Sequence, residues 1–332
     1  MRILITGGAG KVGSAVVEHL CRARHELTVI DRLPSASVKG ARYRQCDILQ
    51  MVCLVEAAKE ADAIVHLAAI PSPAGFPPEE IFRINCQGTF NVYEAAARAG
   101  IRRLITASSI NAVGFNYGIK PFPIAYLPVD EKLPVFATDA YSLSKQITER
   151  IGEYAWGRDG IASAALRFPW VAPAVNSTQE VVTRHAGQCR ASYEALLKLT
   201  EAERSRTVRE WVADRDRYRV TRNMEALTAN KGYVNLDPLM AGYTDFWVRI
   251  DERDAAQAVE KSLTAAFEGH HTLFVNDDHS YTGVPSLELA KLFFPEARVD
   301  EEKLRGTSSV VSVEEARRLI GYAPEFSVGR WL

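Results

Sequence analysis

Tyr141 and Lys145 stand four residues apart in Tyr141-Ser142-Leu143-Ser144-Lys145, a spacing that puts a phenol and an ammonium on one face of a helix. A phenol with a pKa of about 10 is a weak base at neutral pH, but a neighbouring cation favours its phenolate. The pair can then pass a proton to or from a substrate hydroxyl. The run Thr106-Ala107-Ser108-Ser109 closes an apolar, strand-like segment, where a hydroxyl can hold a substrate oxygen beside that phenol. Together these groups make a candidate proton shuttle.

A second set of residues suits a dinucleotide. Gly7, Gly10 and Gly13 in Thr6-Gly7-Gly8-Ala9-Gly10-Lys11-Val12-Gly13 follow the first strand at G-x-x-G-x-x-G spacing. That pattern serves a tight turn, approach of backbone to a pyrophosphate, and close packing of helix on sheet. A helix starting near Lys11 aims its N-terminal amides at the phosphates, so Gly7, Gly10, Lys11, Val12 and Gly13 are candidate contacts. Asp31 ends the second strand eighteen residues past Gly13, where a carboxylate accepts the ribose hydroxyls of NAD and repels the 2'-phosphate of NADP. Its neighbour Arg32 could serve that phosphate, yet the carboxylate favours NAD as cofactor. The positive nicotinamide would add to the pull of Lys145 on the Tyr141 proton.

The elements that must position these groups alternate in type. Strand-like Arg2–Thr6, Leu27–Asp31, Ala63–Leu67 and Arg103–Ser108 are separated by helix-like Val12–Arg24, Val52–Glu60 and Glu80–Ala99. The strands are continuous apolar runs, as in a parallel sheet covered on both faces. The expected class is α/β: a Rossmann-type doubly wound parallel sheet with a smaller, mostly helical C-terminal substrate region. After a Pro-rich loop from Pro121 to Pro134 come a helix from Asp139 to about Trp156 and a strand from Ile161 to Arg167. Residues 1–170 are expected to bind the cofactor and carry the catalytic groups, and residues 171–332 to bind substrate, with some elements returning to the sheet. Arg190–Glu225 carries nine basic and seven acidic residues in thirty-six positions. We read it as one or two helices forming a mobile cover over the substrate pocket rather than a nucleic-acid arm, with a rigid solvated helix pair as the alternative. Further helices are expected over Asp251–Phe267 and Val284–Phe293, and one opening at Ser312, which has capping-box spacing to Glu315.

Composition narrows the partners. The 332 residues carry 40 basic and 41 acidic groups, a net charge of -1, so no one-sign field draws the chain to nucleic acid or an anionic membrane. No apolar run approaches the roughly 20 residues of a membrane span, and a cytoplasmic location is expected. The five cysteines, Cys21, Cys46, Cys53, Cys86 and Cys189, show no C-x-x-C spacing and read as reduced, buried thiols. No metal site is expected, and His66, at the end of an apolar strand, reads as a packed structural histidine.

Several motifs occur in a fixed order: Gly7-x-x-Gly10-x-x-Gly13, Asp31, Asp47-Ile48, His66-Leu67-Ala68-Ala69, Asn85-x-x-Gly88-Thr89, Ser108-Ser109, Tyr141-x-x-x-Lys145 and Arg167-Phe168-Pro169. With them the chain resembles the extended short-chain dehydrogenase/reductases, the NAD-dependent epimerase/dehydratase family. The likeness covers about residues 1–175 and returns at Trp247–Asp254. It implies that Asp47 and Ile48 meet the adenine and that Leu67, Ala68 and Ala69 line the cofactor; Asn85 is placed beside the cofactor and reads as a bridge between backbone groups near the site rather than as a group that does chemistry. It further implies that Lys145 holds the nicotinamide ribose and that Pro169 abuts the nicotinamide. Ser109, by its spacing to Gly114, matches the catalytic Ser or Thr, and Ser108 a neighbouring substrate-side position.

The resemblance implies oxidation of a secondary alcohol of a sugar-type substrate. In the family's dehydratases an Asp-Glu pair follows the catalytic Thr; Ile110-Asn111 stands here, which argues against dehydration. Trp170 occupies the register where nucleotide-sugar epimerases usually carry an Asn, and could floor a smaller, nucleotide-free pocket. Sugar epimerase and sugar or uronate dehydrogenase both remain open. A reading of another class is an inactive NAD-sensing protein. A homodimer is expected through the helices near Asn85–Ala99 and Tyr141–Trp156, with Ala95, Ala96 and Ala99 allowing close approach.

Overall fold

The computed structural model describes residues 1–36, 38–220 and 237–332; positions 221–225 of the charged segment lie outside the described residues. Ile3, Leu4 and Ile5 of β1 (Arg2–Thr6) are at most 1% exposed, as a strand covered on both faces must be. β1 lies between β2 (Glu26–Asp31) and β4 (Ala63–His66). The sheet extends through β3 (Arg42–Gln45) on one side and through β5 (Arg103–Ser109), β7 (Ala162–Phe168) and β10 (His270–Phe274) on the other. All seven strands are parallel, in the order β3-β2-β1-β4-β5-β7-β10. The order reverses at β1 and β4, which opens a crevice at their carboxyl ends. Gly7, Asp31, Leu67, Ser109 and Pro169 all end or follow strands at that edge.

One face is covered by α1 (Lys11–Arg22) and the helix Glu252–Thr264, the other by α2 (Met51–Ala58), α4 (Gly88–Ala99) and α5 (Ala140–Asp159). The expected long helix around residues 80–99 starts at α3 (Pro78–Phe82) and reaches α4 through a π turn at Arg83–Gln87. That turn carries the buried Asn85. Two short parallel pairs flank the crevice: β6 (Tyr126–Leu127) with β11 (Arg298–Val299), and β8 (Trp170–Ala172) with β9 (Arg249–Asp251).

The charged segment is helical, within α6 (Gln179–Leu197) and α7 (Glu201–Val220), but α7 is not simply solvated. It buries Val208, Arg215 and Arg219, and Arg215 Nη2 donates to Asn116 Oδ1 at 2.7 Å. Beneath lies an aromatic core in which Phe115 stacks on Phe246 at 5.1 Å and Tyr243 meets Phe294 at 5.2 Å.

Three expectations need correction. Cys46 and Cys53 are joined in a disulfide, because the end of β3 and the first turn of α2 bring their Cα atoms to 5.9 Å; Cys21, Cys86 and Cys189 are free. The last helix runs over Glu314–Ile320, and Glu315 pairs with Arg318 instead of closing a capping box on Ser312. Ala95 and Ala96 point into the protein's own core, at no more than 1% exposure, and so are not available to a second copy.

Candidate active site

Asp139 caps α5 by accepting from Ser142 N at 2.8 Å, which starts the helix so that its first turn faces the end of β5. Tyr141 and Lys145 share that inner face, with Lys145 Nζ 5.7 Å from the Tyr141 ring centre. Lys145 Nζ donates to Ala107 O at 2.9 Å, and the Ser109 hydroxyl lies close enough to the Tyr141 phenol to favour its ionised form. Asn111 donates to Ser109 Oγ from its backbone N at 3.1 Å and from Nδ2 at 3.3 Å. The three groups line a cavity of about 600 Å³. Burial pushes Tyr141 up to about 12, against the effect of the Ser109 hydroxyl, and pulls Lys145 down to about 8, against the field of Glu149. The protein's own groups therefore hold Tyr141 as the neutral phenol, where the tyrosine–lysine spacing alone predicted a phenolate.

Ser108 also lines the cavity, but its hydroxyl is committed: it donates to Glu149 Oε1 at 2.7 Å. Arg167 grips the same carboxylate with Nε and Nη2, each at 2.8 Å. Ser108 is thus part of a buried ion-pair network rather than a free substrate contact. Glu149 was missed from sequence although its signal was present, since it lies one further four-residue step along the face of Tyr141 and Lys145. Trp170 is 53% exposed and forms a side wall of the cavity, not its floor.

A second cavity of about 320 Å³ runs from Gly7 and Gly10 to Asp31, Arg32, Asp47 and Ile48. It shares Gly7, Gly10, Leu67 and Ala69 with the first, so the two form one groove. Lys11, Val12, Gly13 and Pro169 line the first part and Ala68 the second. Gly7 has φ +70°, and a Cβ there would come within 2.6 Å of Ala68 N.

Asn85 bridges backbone groups near the site as expected, but lines neither part of the groove. Its Oδ1 accepts from Ile70 N at 2.8 Å, and its Nδ2 donates to Ile70 O and Ser144 Oγ, which pins the loop after β4 to the first turns of α5. His66 is structural. Thr89 Oγ1 donates to Asn85 O, so it accepts from His66 Nε2 at 3.0 Å, leaving Nδ1 to accept from Thr6 Oγ1 at 2.7 Å. Burial holds this ring neutral, with its pKa lowered to about 3.

The sequence profile of the NAD dependent epimerase/dehydratase family matches residues 3–228. The chain belongs to that family. Among its relatives, the uronate dehydrogenase of Pseudomonas putida is 30% identical over 169 residues, 50% of this chain and 60% of that protein. The L-arabinose 1-dehydrogenase (NAD(P)(+)) of Haloferax volcanii is 34% identical over 176 residues, 51% and 67% of the two chains. The chain thus spans about 60% of the length of the uronate dehydrogenase it matches. A short-chain dehydrogenase/reductase superfamily protein from Agrobacterium tumefaciens, solved with bound NAD, shares the fold at a TM-score of 0.64 and 20% identity, covering 100% of this chain and 95% of that one.

NAD is the cofactor this family membership brings, and the groove accommodates it. A Cβ on Gly10 would meet nothing closer than the Gly7 carbonyl, at 3.3 Å, so the missing side chain leaves room for a pyrophosphate. Gly10 is also the N-cap of α1 and has no side-chain bond to the helix amides, which leaves those donors open to an anion. At the far end, the Asp31 carboxylate is bonded, among the described residues, only to its own turn, through Leu33 N at 3.3 Å.

Proposed function

We propose that the chain is an NAD-dependent oxidoreductase acting on a secondary alcohol of a sugar or sugar-derived substrate, as a dehydrogenase or an epimerase. The observation that carries this reading is the convergence of Ser109, Tyr141 and Lys145 in a cavity continuous with the glycine-rich groove. NAD, when bound, supplies the acceptor for the hydrogen and electron pair that leave the alcohol carbon, and a positive ring charge near the phenol. Tyr141 would first lose its own proton to solvent as that charge and Lys145 lower its pKa, and its phenolate Oη then takes the hydroxyl proton while Ser109 Oγ holds the same oxygen in line. Lys145 supplies positive charge beneath the ring and a contact to the nicotinamide ribose. Asp31 selects the ribose diol; Arg32, Asp47 and Ile48 enclose the adenosine end; Gly7, Gly10, Lys11, Val12 and Gly13 hold the pyrophosphate; Leu67, Ala68, Ala69 and Pro169 wall the rest. Asn111, in place of an acid pair, argues against elimination of water.

The test is to denature the purified protein, look for released nicotinamide, and then follow reduction of added NAD with a panel of free and nucleotide-linked sugars. A dehydrogenase should reduce NAD with at least one sugar, and an epimerase should convert one sugar to its epimer without net reduction; cofactor binding with neither would favour an NAD-sensing role instead. We also propose a homodimer through the outer faces of the helices Pro78–Ala99 and α5. Phe82, Phe90, Leu143 and Tyr154 there are each between 40% and 48% exposed, an apolar face that a second copy would cover. A concentration-independent monomer in light scattering would refute it. Among the described residues no helix is long and apolar enough to cross a membrane.

A further inference from the structure

Beside the catalytic cavity lies another, of about 390 Å³, and the two share Trp170 and Asp245. Trp170 in β8 and Arg249 in β9 are register partners, and Arg249 lines the smaller cavity at 7% exposure. Its Nη2 has no hydrogen-bond partner, and among the described residues it forms no ion pair. A guanidinium stays charged even when burial lowers its pKa, as here. A buried cation left without a counter-charge is costly, and a cavity beside it offers the place where one can arrive.

The surroundings carry both signs: Asp245 lines the cavity and the charges of Asp277 and Asp251 reach Arg249, but further cations converge there. Arg184 and His185 line the cavity from α6, and Arg184 forms no ion pair among the described residues. His185 sits against the Tyr281 ring at 5.1 Å. Its pKa is lowered by burial and then by the charges of Arg249 and Arg184, so both cations bear on one spot. The nearby acids are engaged elsewhere. Asp245 accepts from Asn116 Nδ2 at 2.8 Å, Asp251 holds Arg253 at 2.8 Å, and Asp277 accepts from Ser327 Oγ and from the backbone of Val328 and His279.

We infer that this cavity is an oxyanion subsite, taking the carboxylate or monophosphate of a nucleotide-free sugar whose reacting alcohol lies at Tyr141 and Ser109. The assignment of the other end of the substrate rests on the oxidoreductase reading above. The planar fork of Arg249 matches a carboxylate or phosphate, a neutral His185 adds one N–H, and Trp170, between the two cavities, offers an aromatic face to the sugar ring. The substrate class is then a sugar acid or sugar phosphate.

The experiment titrates NAD-saturated protein calorimetrically with D-galacturonate, D-glucose 6-phosphate, L-arabinose and UDP-glucose, and follows NAD reduction with the same four. We expect the acid or the monophosphate to bind at least about tenfold more tightly than arabinose, and the better of the two separates carboxylate from phosphate. Arg249→Gln should weaken that ligand by about tenfold or more, with no comparable loss for arabinose and with NAD affinity unchanged. Arg184→Gln, at an exposed position that does not threaten folding, should shift the same ligand in the same direction by less. If Arg249→Gln does not fold, Arg184→Gln and Arg249→Lys decide: loss confined to the anionic ligand supports the subsite. Equal affinity for arabinose and the anions, preference for UDP-glucose, or equal losses for charged and neutral sugars would overturn it. Failure of all four either to reduce NAD or to be epimerised would instead overturn the oxidoreductase reading, while the titration still reports on the subsite.

Discussion

Replacing Glu149 by glutamine removes one charge and almost no volume from the centre of the site. Its carboxylate receives two bonds of 2.8 Å from Arg167, with the two side chains only 5% and 9% exposed, and a third of 2.7 Å from Ser108. An amide keeps one acceptor oxygen but turns an NH2 toward the guanidinium, so one Arg167 bond is lost and the cation is left under-compensated. The other acid that feels Arg167 is Glu131, which already accepts from Phe274 N at 2.8 Å. Removing one partner of a buried pair costs about 3–5 kcal/mol, and the retained acceptor places Glu149→Gln near the lower end. That is a large part of the about 5–15 kcal/mol that holds a domain folded. Urea unfolding followed by circular dichroism measures it, and the double variant Glu149→Leu/Arg167→Met should lose less than the sum of its single variants. Glu149 is also the acid that raises the pKa of Lys145, which stands at about 8. Without it Lys145 gives up its proton at lower pH, so the alkaline fall in turnover should move toward neutrality. A loss below about 1 kcal/mol, or an unmoved alkaline limb, would refute the reasoning.

Tyr141→Phe should reduce turnover by about 10²–10⁴ while NAD affinity stays level in fluorescence titration; retention of more than about a tenth of the activity removes Tyr141 from its role. Asp31→Ser should weaken NAD and improve NADP, and a wild-type preference for NADP would contradict the assignment. Gly13→Ala would bring a Cβ within 2.3 Å of Gly7 O and 2.6 Å of Gly8 Cα, so α1 must move off the turn; expect about 1–3 kcal/mol of destabilisation and weaker NAD binding by titration. Burial raises the Asp245 pKa to about 6, above the roughly 4 of an unfolded aspartate, so the folded protein binds its proton more tightly. The stability this contributes is complete below about pH 4 and is lost as pH rises through about 6. Asp245→Asn should therefore gain on the wild type from pH 4 to 7 in melting temperature, and parallel curves would count against it.

The inner strands were legible because burial on both faces leaves an unbroken apolar run, as in Ile3-Leu4-Ile5 and Ala63-Ile64-Val65. The two strands that gave no such signal, Arg42–Gln45 and His270–Phe274, are the two edges of the sheet. There half the environment is solvent or loop, and polar side chains discourage further pairing. The Cys46–Cys53 bridge left no trace because its spacing belongs to no recurring motif and only the β3 to α2 turn makes it short. In the site, Tyr141, Lys145 and the glycines announced themselves by local spacing. Arg249 did not: in Val248-Arg249-Ile250 it resembles any half-buried strand residue, and its meaning depends on the pairing of β9 with β8. Asn85 was noticed but placed at the cofactor, since a helix without a π turn gives no reason for its amide to face Ile70.

The pairing of β8 with β9 has an evolutionary corollary. β8 and β9 run parallel with Trp170 opposite Arg249, so the excursion leaves after Ala172 and returns at Arg249, one strand across and two residues back, about 8 Å away. A detour anchored in this way can be lengthened, trimmed or exchanged at small entropic cost, because closure depends only logarithmically on its length. The strands on either side of Pro169 and the one bearing Arg249 need not move when that happens. One oxidising engine can thus be refitted with different substrate heads, and the tempo of change along this lineage should be fastest between residues 173 and 248.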